Sequence, residues 1–169
     1  IRSRTHHYPY RLVTARRHGI ERLLRQPREG PIRRRRRGPE PRHDVAAGIA
    51  QAVIGNRIGD VSHAVQELVE DAGFAVVRSL VGHGVGRHYH EDPHVPNFGA
   101  AGRGPKLSEG MTIAIEPMIT MGSPEVWLHD DGWTIATEDG SLAAHFEHTV
   151  AILPGGPRIL TPRVGIAAG

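Results

Sequence analysis

The stretch GHGVGRHYHEDPHVPNFG, residues 82–99, holds much of the unusual chemistry of this sequence. It contains two carboxylates and four histidines, namely His83, His88, His90 and His94. Such a run could be a metal site, a phosphate-binding loop or a polar turn. The phosphate loop is disfavoured, because the glycines are followed by neither a Lys-Ser/Thr pair nor a helical pattern. If the stretch is a metal site, its other ligands lie elsewhere in the chain.

Two glutamates inside apolar strand patterns are candidates for those ligands. Glu116 lies in IAIEPMI and Glu147 lies in HFEHTV. Burying a carboxylate among such residues is costly unless it is paired or bound to a cation. Each glutamate could instead form a salt bridge or face water, because alternate strand residues point outward. Together with His83 they make a set of one imidazole and two carboxylates, which suits Mn, Fe, Co or Zn.

The remaining polar candidates are weaker. His90 could hydrogen-bond a substrate carbonyl or move a proton near neutral pH, or it could be a solvated loop residue. His88 and His94 are expected at the surface, and His63 falls away from the apolar face of a predicted helix. Trp133 follows a turn glycine and is compatible with either packing or a substrate-facing role.

Length and composition limit the class of protein. A chain of 169 residues predicts one domain, and the absence of cysteine excludes disulfides and Cys-based zinc sites. No apolar run approaches the length of a membrane span, and the Arg-rich start is not followed by the apolar core of a signal peptide. We therefore expect a cytoplasmic protein.

Charge divides the chain into two regions. Residues 1–43 carry 14 Arg and 3 Glu, a net of +11, whereas residues 44–169 carry a net of −8. The run RRRRR between two prolines predicts a disordered or out-of-family segment, since like charges repel and proline interrupts helices. A nucleic-acid-binding arm is an alternative, as is out-of-frame translation of GC-rich DNA. Residues 44–154 are the expected folded domain, and residues 155–169 are the expected flexible tail.

Hydrophobic periodicity places helices before strands. Residues 45–53 and 60–73 fit helices, and the second has Asp60 as its expected N-cap and Gly73 as its expected C′ residue. The expected strands cover residues 74–81, 111–119 and 145–153, with a hairpin over 126–137 that turns at Asp131-Gly132. Helices followed by antiparallel strands predict an α+β fold.

Four segments, in order and in spacing, resemble type I methionine aminopeptidase over about residues 45–153. They are GNRIGDVSHAVQELVEDAGF, the 82–99 stretch, EGMTIAIEPMI and DDGWTIATEDGSLAAHFEHTVAIL. The resemblance implies the C-terminal half of the pita-bread (creatinase/aminopeptidase-like) fold, an antiparallel sheet with helices on one face. It also implies an enzyme that removes the initiator methionine from nascent polypeptide N-termini with two divalent metal ions, and the ribosome as a further partner.

The resemblance also implies roles for individual residues. The implied metal ligands are His83, Glu116 and Glu147, with Glu147 bridging the two ions and Glu116 also helping to activate water. His90 is the implied catalytic residue that contacts the scissile peptide. The implied substrate-binding residues are His90, Tyr89 and Trp133, the last two lining the pocket for the methionine side chain.

One departure from the family pattern concerns two further ligands. The family centre also uses two upstream aspartates, and residues 1–43 contain no Asp. We therefore expect one metal ion or none, weak metal binding and little activity, and an uncovered sheet that promotes dimerisation or aggregation. An alternative function is a non-catalytic pita-bread relative that binds RNA or the ribosome through its Arg-rich arm.

Overall fold

A computed structural model describes residues 11–12 and 43–162 of the chain. The prediction for residues 1–43 lies almost wholly outside the described residues. The elements are β1 (Arg11–Leu12), α1 (His43–Gln51), α2 (Ile58–Asp71), β2 (Ala75–Val76), β3 (Gly82–Gly84), β4 (Glu91–Val95), β5 (Thr112–Ile115), β6 (Met118–Thr120), β7 (Val126–Leu128), β8 (Thr134–Thr137), β9 (Ala143–His145), β10 (His148–Leu153) and β11 (Gly156–Ile159). None of the helices in this part is long and apolar enough to cross a bilayer.

Helix α2 follows its apolar periodicity, but its N-terminus differs from the prediction. The expectation of Asp60 as N-cap is wrong, because the helix begins at Ile58 and Arg57 is its N-cap. Asp60 instead accepts hydrogen bonds from the backbone N–H of Arg57 and of Gly102, each at 2.7 Å. The carboxylate therefore closes the first turn and also fastens a distant loop to it.

The C-terminus of α2 ends as its sequence predicts. Gly73 has a φ of +78°, a left-handed conformation that glycine adopts without steric cost. Its N–H donates to the Glu70 carbonyl at 2.8 Å, and the Phe74 N–H donates to the Val69 carbonyl at 3.1 Å. These are the two hydrogen bonds of a Schellman motif.

The strands form three sheets. The largest has the order β11-β10-β5-β3-β4 and is antiparallel throughout, and a smaller antiparallel sheet has the order β2-β6-β9. The third joins the predicted hairpin, β7 and β8, with β1 parallel to β8. The hairpin turn at Asp131-Gly132 is confirmed, with Gly132 at a φ of +67°.

The predicted strands are shorter than expected, and two of them are broken. Residues 111–119 divide into β5 and β6 around Glu116-Pro117, and residues 145–153 divide into β9 and β10 around Phe146-Glu147. Pro117 has no N–H to donate to a ladder, which explains one break. Of the predicted strand 74–81, β2 keeps only two residues.

The expectation of a flexible tail from residue 155 is wrong for Gly156–Ile159. This segment is β11, which pairs antiparallel with β10 after a turn. Gly155 and Gly156 have φ values of +97° and +116°, which permit the chain to reverse there.

Helix α2 contributes to both apolar clusters of the described part. Its first half packs on the large sheet in a cluster that includes Val61, Ile113 and Val150. Its second half packs on the small sheet through Val65 and Val69. The helix thus fixes the two sheets to each other at the point where β5 leads into β6.

We predict that Asp60→Ala lowers the free energy of unfolding by about 1–2 kcal/mol, because it removes the carboxylate that accepts from the N–H groups of Arg57 and Gly102. The hydrogen bonds from the N–H groups of Arg57 and Gly102 hold the pKa of Asp60 below 3.8. The difference from the unsubstituted protein should therefore be complete above pH 3.8 and disappear as the pH falls through the lower, folded-state pKa.

Urea unfolding at pH 7 and at decreasing pH measures this difference. Asp71→Ala is the matched control, because Asp71 is an exposed residue at the opposite end of the same helix. An equal loss of stability in both variants would contradict the assigned role of Asp60.

Candidate metal centre

His83 is the middle residue of β3, which lies between β4 and β5. The glycines on either side allow this close packing. A Cβ on Gly82 would collide with the Ala114 carbonyl oxygen, and one on Gly84 would collide with the Asp92 carbonyl oxygen. The Gly-His-Gly pattern therefore places an imidazole in the interior of a tightly spaced sheet, with only 7% of His83 exposed.

The orientation of the His83 ring is fixed by a backbone contact. Its Nδ1 lies 2.8 Å from the Gly84 carbonyl oxygen, which can only accept, so Nδ1 carries the proton. In the neutral imidazole Nε2 then presents a lone pair, and it lies 3.4 Å from Glu116 Oε1. A lone pair facing a carboxylate is unfavourable unless a proton or a cation lies between them.

Glu116 and Glu147 occupy opposite positions in the two breaks. Before the break Ile115 pairs with His148, and after it Met118 pairs with His145. The same register, continued through the break, sets Glu116 opposite Glu147. Like charges directly opposite each other on paired strands are destabilising. A cation bound between the two carboxylates would relieve this repulsion.

His145 is a site residue that the sequence prediction missed. It is the last residue of β9, and its Nε2 lies 3.4 Å from Glu116 Oε2. Glu116 therefore lies between two imidazoles, with one carboxylate oxygen directed at each. The signal was present in the sequence, because His145 precedes Glu147 by two residues and side chains at that spacing share a strand face.

The backbone of Glu116 is held by a second residue that the sequence prediction missed. Asn97, with 1% of its surface exposed, directs its amide Nδ2 at the carbonyl oxygens of Leu80 and Glu116, at 3.4 and 3.3 Å. These contacts connect the 82–99 stretch to the break between β5 and β6. Asn97 therefore helps to position the backbone of Glu116.

Tyr89 and His90 lie on a loop next to His83. Glu91 closes this loop, since its Oε1 accepts from the His88 N–H at 2.6 Å. The ring centroids of His83 and His90 are 4.0 Å apart, and those of Tyr89 and His90 are 4.6 Å apart. Tyr89 remains 62% exposed, so one face of the site is open to solvent.

Two pKa shifts show that this loop is within electrostatic reach of the glutamates. The negative charge of Glu147, then burial and the charge of Glu116, raise the pKa of Tyr89 above its ordinary value. Burial, followed by the neighbouring His83, lowers the pKa of His90, and Glu116 opposes this change.

The other predicted residues lie outside this cluster or at the surface. His63, His88 and His94 are exposed, as expected. The contacts of Trp133 are local to the hairpin turn, where its backbone N–H donates to Asp131 Oδ1 at 2.9 Å. Its side chain is partly exposed, and these contacts do not join it to the His83 and Glu116 group.

The donor set fits a divalent cation. Glu116, His145 and Glu147 each offer one ligand atom, and these atoms lie within 4.8 Å of one another. The predicted ligand His83 is not in this group of three, and its Nε2 lies 3.4 Å from the other carboxylate oxygen of Glu116. Imidazole nitrogen and carboxylate oxygen together suit Zn, Fe, Co or Mn, and the opposed carboxylates supply the negative charge that such an ion requires.

Comparison with known proteins agrees with this geometry. The sequence profile of metallopeptidase family M24 matches residues 43–154. A methionine aminopeptidase of Clostridium perfringens is 61% identical over 114 residues, which cover 68% of this chain and 46% of that protein. Methionine aminopeptidase 1 of Mycobacterium tuberculosis is 51% identical over 126 residues, covering 71% and 47%. The chain spans about half the length of these relatives.

Solved structures give the same result. The crystal structure of methionine aminopeptidase from Thermotoga maritima superposes with a TM-score of 0.71 at 52% identity, over 72% of this chain and 49% of that one. A prolidase from Pyrococcus furiosus, 23% identical over 72% of this chain and 30% of its own, shares the fold with a TM-score of 0.52. These likenesses confirm the expected α+β architecture as part of the pita-bread fold, and they confirm the resemblance to methionine aminopeptidases. The chain belongs to metallopeptidase family M24.

Proposed function

We propose that this chain contributes to a metalloaminopeptidase centre that removes N-terminal methionine from nascent polypeptides. The observation that carries the proposal is the opposition of Glu116 and Glu147 in the break between the sheets, with His83 directed at Glu116. The similarity to methionine aminopeptidases supplies the substrate class. A divalent ion of Co, Mn, Fe or Zn would supply Lewis acidity when bound there, which is what makes water a competent nucleophile at neutral pH.

The chain's own residues divide the remaining work. His83, Glu116 and Glu147 hold the ion. Glu116 also accepts a proton from the attacking water at a carboxylate oxygen, as a general base must. Asn97 donates to the backbone carbonyl of Glu116, which helps to position its Cα.

Substrate binding falls to the exposed side of the site. His90 donates a hydrogen bond to the scissile peptide and stabilises the negative charge that develops there. On the family resemblance alone, we assign Tyr89 and Trp133 to the pocket for the methionine side chain. The solvent-facing position of Tyr89 is consistent with a substrate that enters from the open face.

We further propose that these 169 residues alone bind metal weakly and hydrolyse peptides slowly. The family resemblance assigns two aspartates to the centre, and residues 1–43 contain none. Two divalent ions held close together need bridging carboxylates to offset their repulsion. Fewer carboxylates therefore favour occupancy by one ion.

We predict that Glu147→Ala reduces metal affinity by at least about tenfold, because it removes one of the two opposed carboxylates. Equilibrium dialysis against Co²⁺, followed by elemental analysis of the protein, gives both stoichiometry and affinity. Glu67→Ala is the matched control, since Glu67 is an exposed glutamate on α2. Equal Co²⁺ binding by the two variants would refute the metal role of Glu147.

We predict slow release of methionine from a Met-Ala peptide by the Co²⁺-loaded protein, at less than about 1 per second, the lower end of ordinary enzyme turnover. A chelator should abolish this release, and His90→Gln should lower it by about a hundredfold through loss of charge stabilisation. Chromatographic quantification of free methionine measures both effects.

The outcomes separate the parts of the proposal. Release that resists chelation, or no release at saturating Co²⁺, would contradict a metal-dependent aminopeptidase centre. Turnover of about tens per second would contradict the proposed weakness and leave the activity itself intact.

A further inference from the structure

We propose that His145 is itself a ligand of the metal ion, so that two imidazoles flank Glu116 at this centre. The inference rests on the proposed function, in that it assumes a divalent ion at the site. It adds a nitrogen ligand to the set that the family resemblance assigns, which has His83 as its only imidazole.

The position of His145 follows from the sheet register. His145 pairs with Met118 immediately beyond the break, two residues before Glu147 on the same strand path. That spacing directs both side chains to the face where Glu116 lies. Ligand atoms of Glu116, His145 and Glu147 consequently approach within 4.8 Å of one another.

The separation of the atoms favours a shared ion over an ion pair. His145 Nε2 lies 3.4 Å from Glu116 Oε2, and His83 Nε2 lies 3.4 Å from Glu116 Oε1. Charge-assisted hydrogen bonds between nitrogen and carboxylate are shorter, at about 2.7–2.9 Å. Two donor atoms that are each about 2.1 Å from one tetrahedral ion lie about 3.4 Å apart. Both contacts therefore have the spacing of neighbouring ligands.

The hydrogen bonding of His145 gives independent support. Its Nε2 is buried, and its contact among the described residues is the 3.4 Å approach to Glu116, which does not meet the geometry of a hydrogen bond. A buried polar atom without a hydrogen bond is unfavourable, so its position needs an explanation. A metal ion bound at Nε2 would satisfy the atom, as it would satisfy the lone pair of His83.

A second imidazole changes the expected metal preference. Nitrogen ligands favour Zn²⁺ and Co²⁺, whereas sites built from carboxylates and water favour Mg²⁺ and Mn²⁺. His145 would also supply a ligand at a centre where residues 1–43 supply no aspartate. The imidazole adds no negative charge, so it suits occupancy by one ion.

The test uses the full chain and Zn²⁺ alone. Zinc absorption-edge spectroscopy distinguishes imidazole from oxygen ligands, and competition with a chromogenic chelator gives the affinity. The variants are His145→Gln, His145→Ala and the control His63→Gln, which alters an exposed histidine on α2. Circular dichroism verifies that each variant is folded.

We expect two imidazoles on Zn²⁺ in the unsubstituted protein and in the control. Each His145 variant should show one imidazole and a Zn²⁺ affinity reduced at least about tenfold. One imidazole in the unsubstituted protein, or unchanged affinity in folded His145 variants, would overturn the inference and leave the proposed function standing. Absence of saturable Zn²⁺ binding by the unsubstituted protein would overturn both. If the variants do not fold, the imidazole count in the unsubstituted protein decides alone.

Discussion

The opposition of two carboxylates across a break between sheets is the constraint on which this structure depends. Glu116 and Glu147 occupy the same register position on paired chain segments, where their charges repel. Glu116 is half-buried and Glu147 is exposed, so solvent screens part of this repulsion, and it amounts to about 1 kcal/mol or less. A bound cation would relieve this repulsion, and the imidazoles that direct ring nitrogens at Glu116 could share such an ion.

The surrounding architecture keeps these groups in position. Helix α2 packs on the large sheet with its first half and on the small sheet with its second, so the sheets cannot move apart where the glutamates lie. The glycines beside His83 admit close strand packing, and Asn97 holds the backbone of Glu116. The candidate ligands therefore lie on strands or directly between paired strands, where the backbone is held on both sides. The loop with Tyr89 and His90 is the more exposed part of the site.

Much of this fold follows from local sequence patterns, while the centre depends on pairing between distant segments. The 3.6-residue periodicity of α2, its glycine terminus and the hairpin at Asp131-Gly132 are local, and all three are found as predicted. The N-cap prediction for Asp60 was wrong because the helix begins two residues before it, after Arg57, a residue type that rarely caps helices. The spacing of His145 and Glu147 is a local signal for a shared face, but the approach of His145 to Glu116 depends on the register between β6 and β9. The strand Gly156–Ile159 was missed because its apolar pattern is weak and its order comes from pairing with β10.

The repulsion between the two glutamates can be measured directly with a double-mutant cycle. The free energy of unfolding is determined for Glu116→Gln, Glu147→Gln, the double variant and the unsubstituted protein, without metal and with saturating Zn²⁺. A pH of 8 is suitable, because an ordinary imidazole is neutral there. Without metal, the coupling between the two positions should be unfavourable by about 1 kcal/mol, and Zn²⁺ should make it favourable. A coupling near zero in both conditions, or one that Zn²⁺ leaves unchanged, would contradict the account.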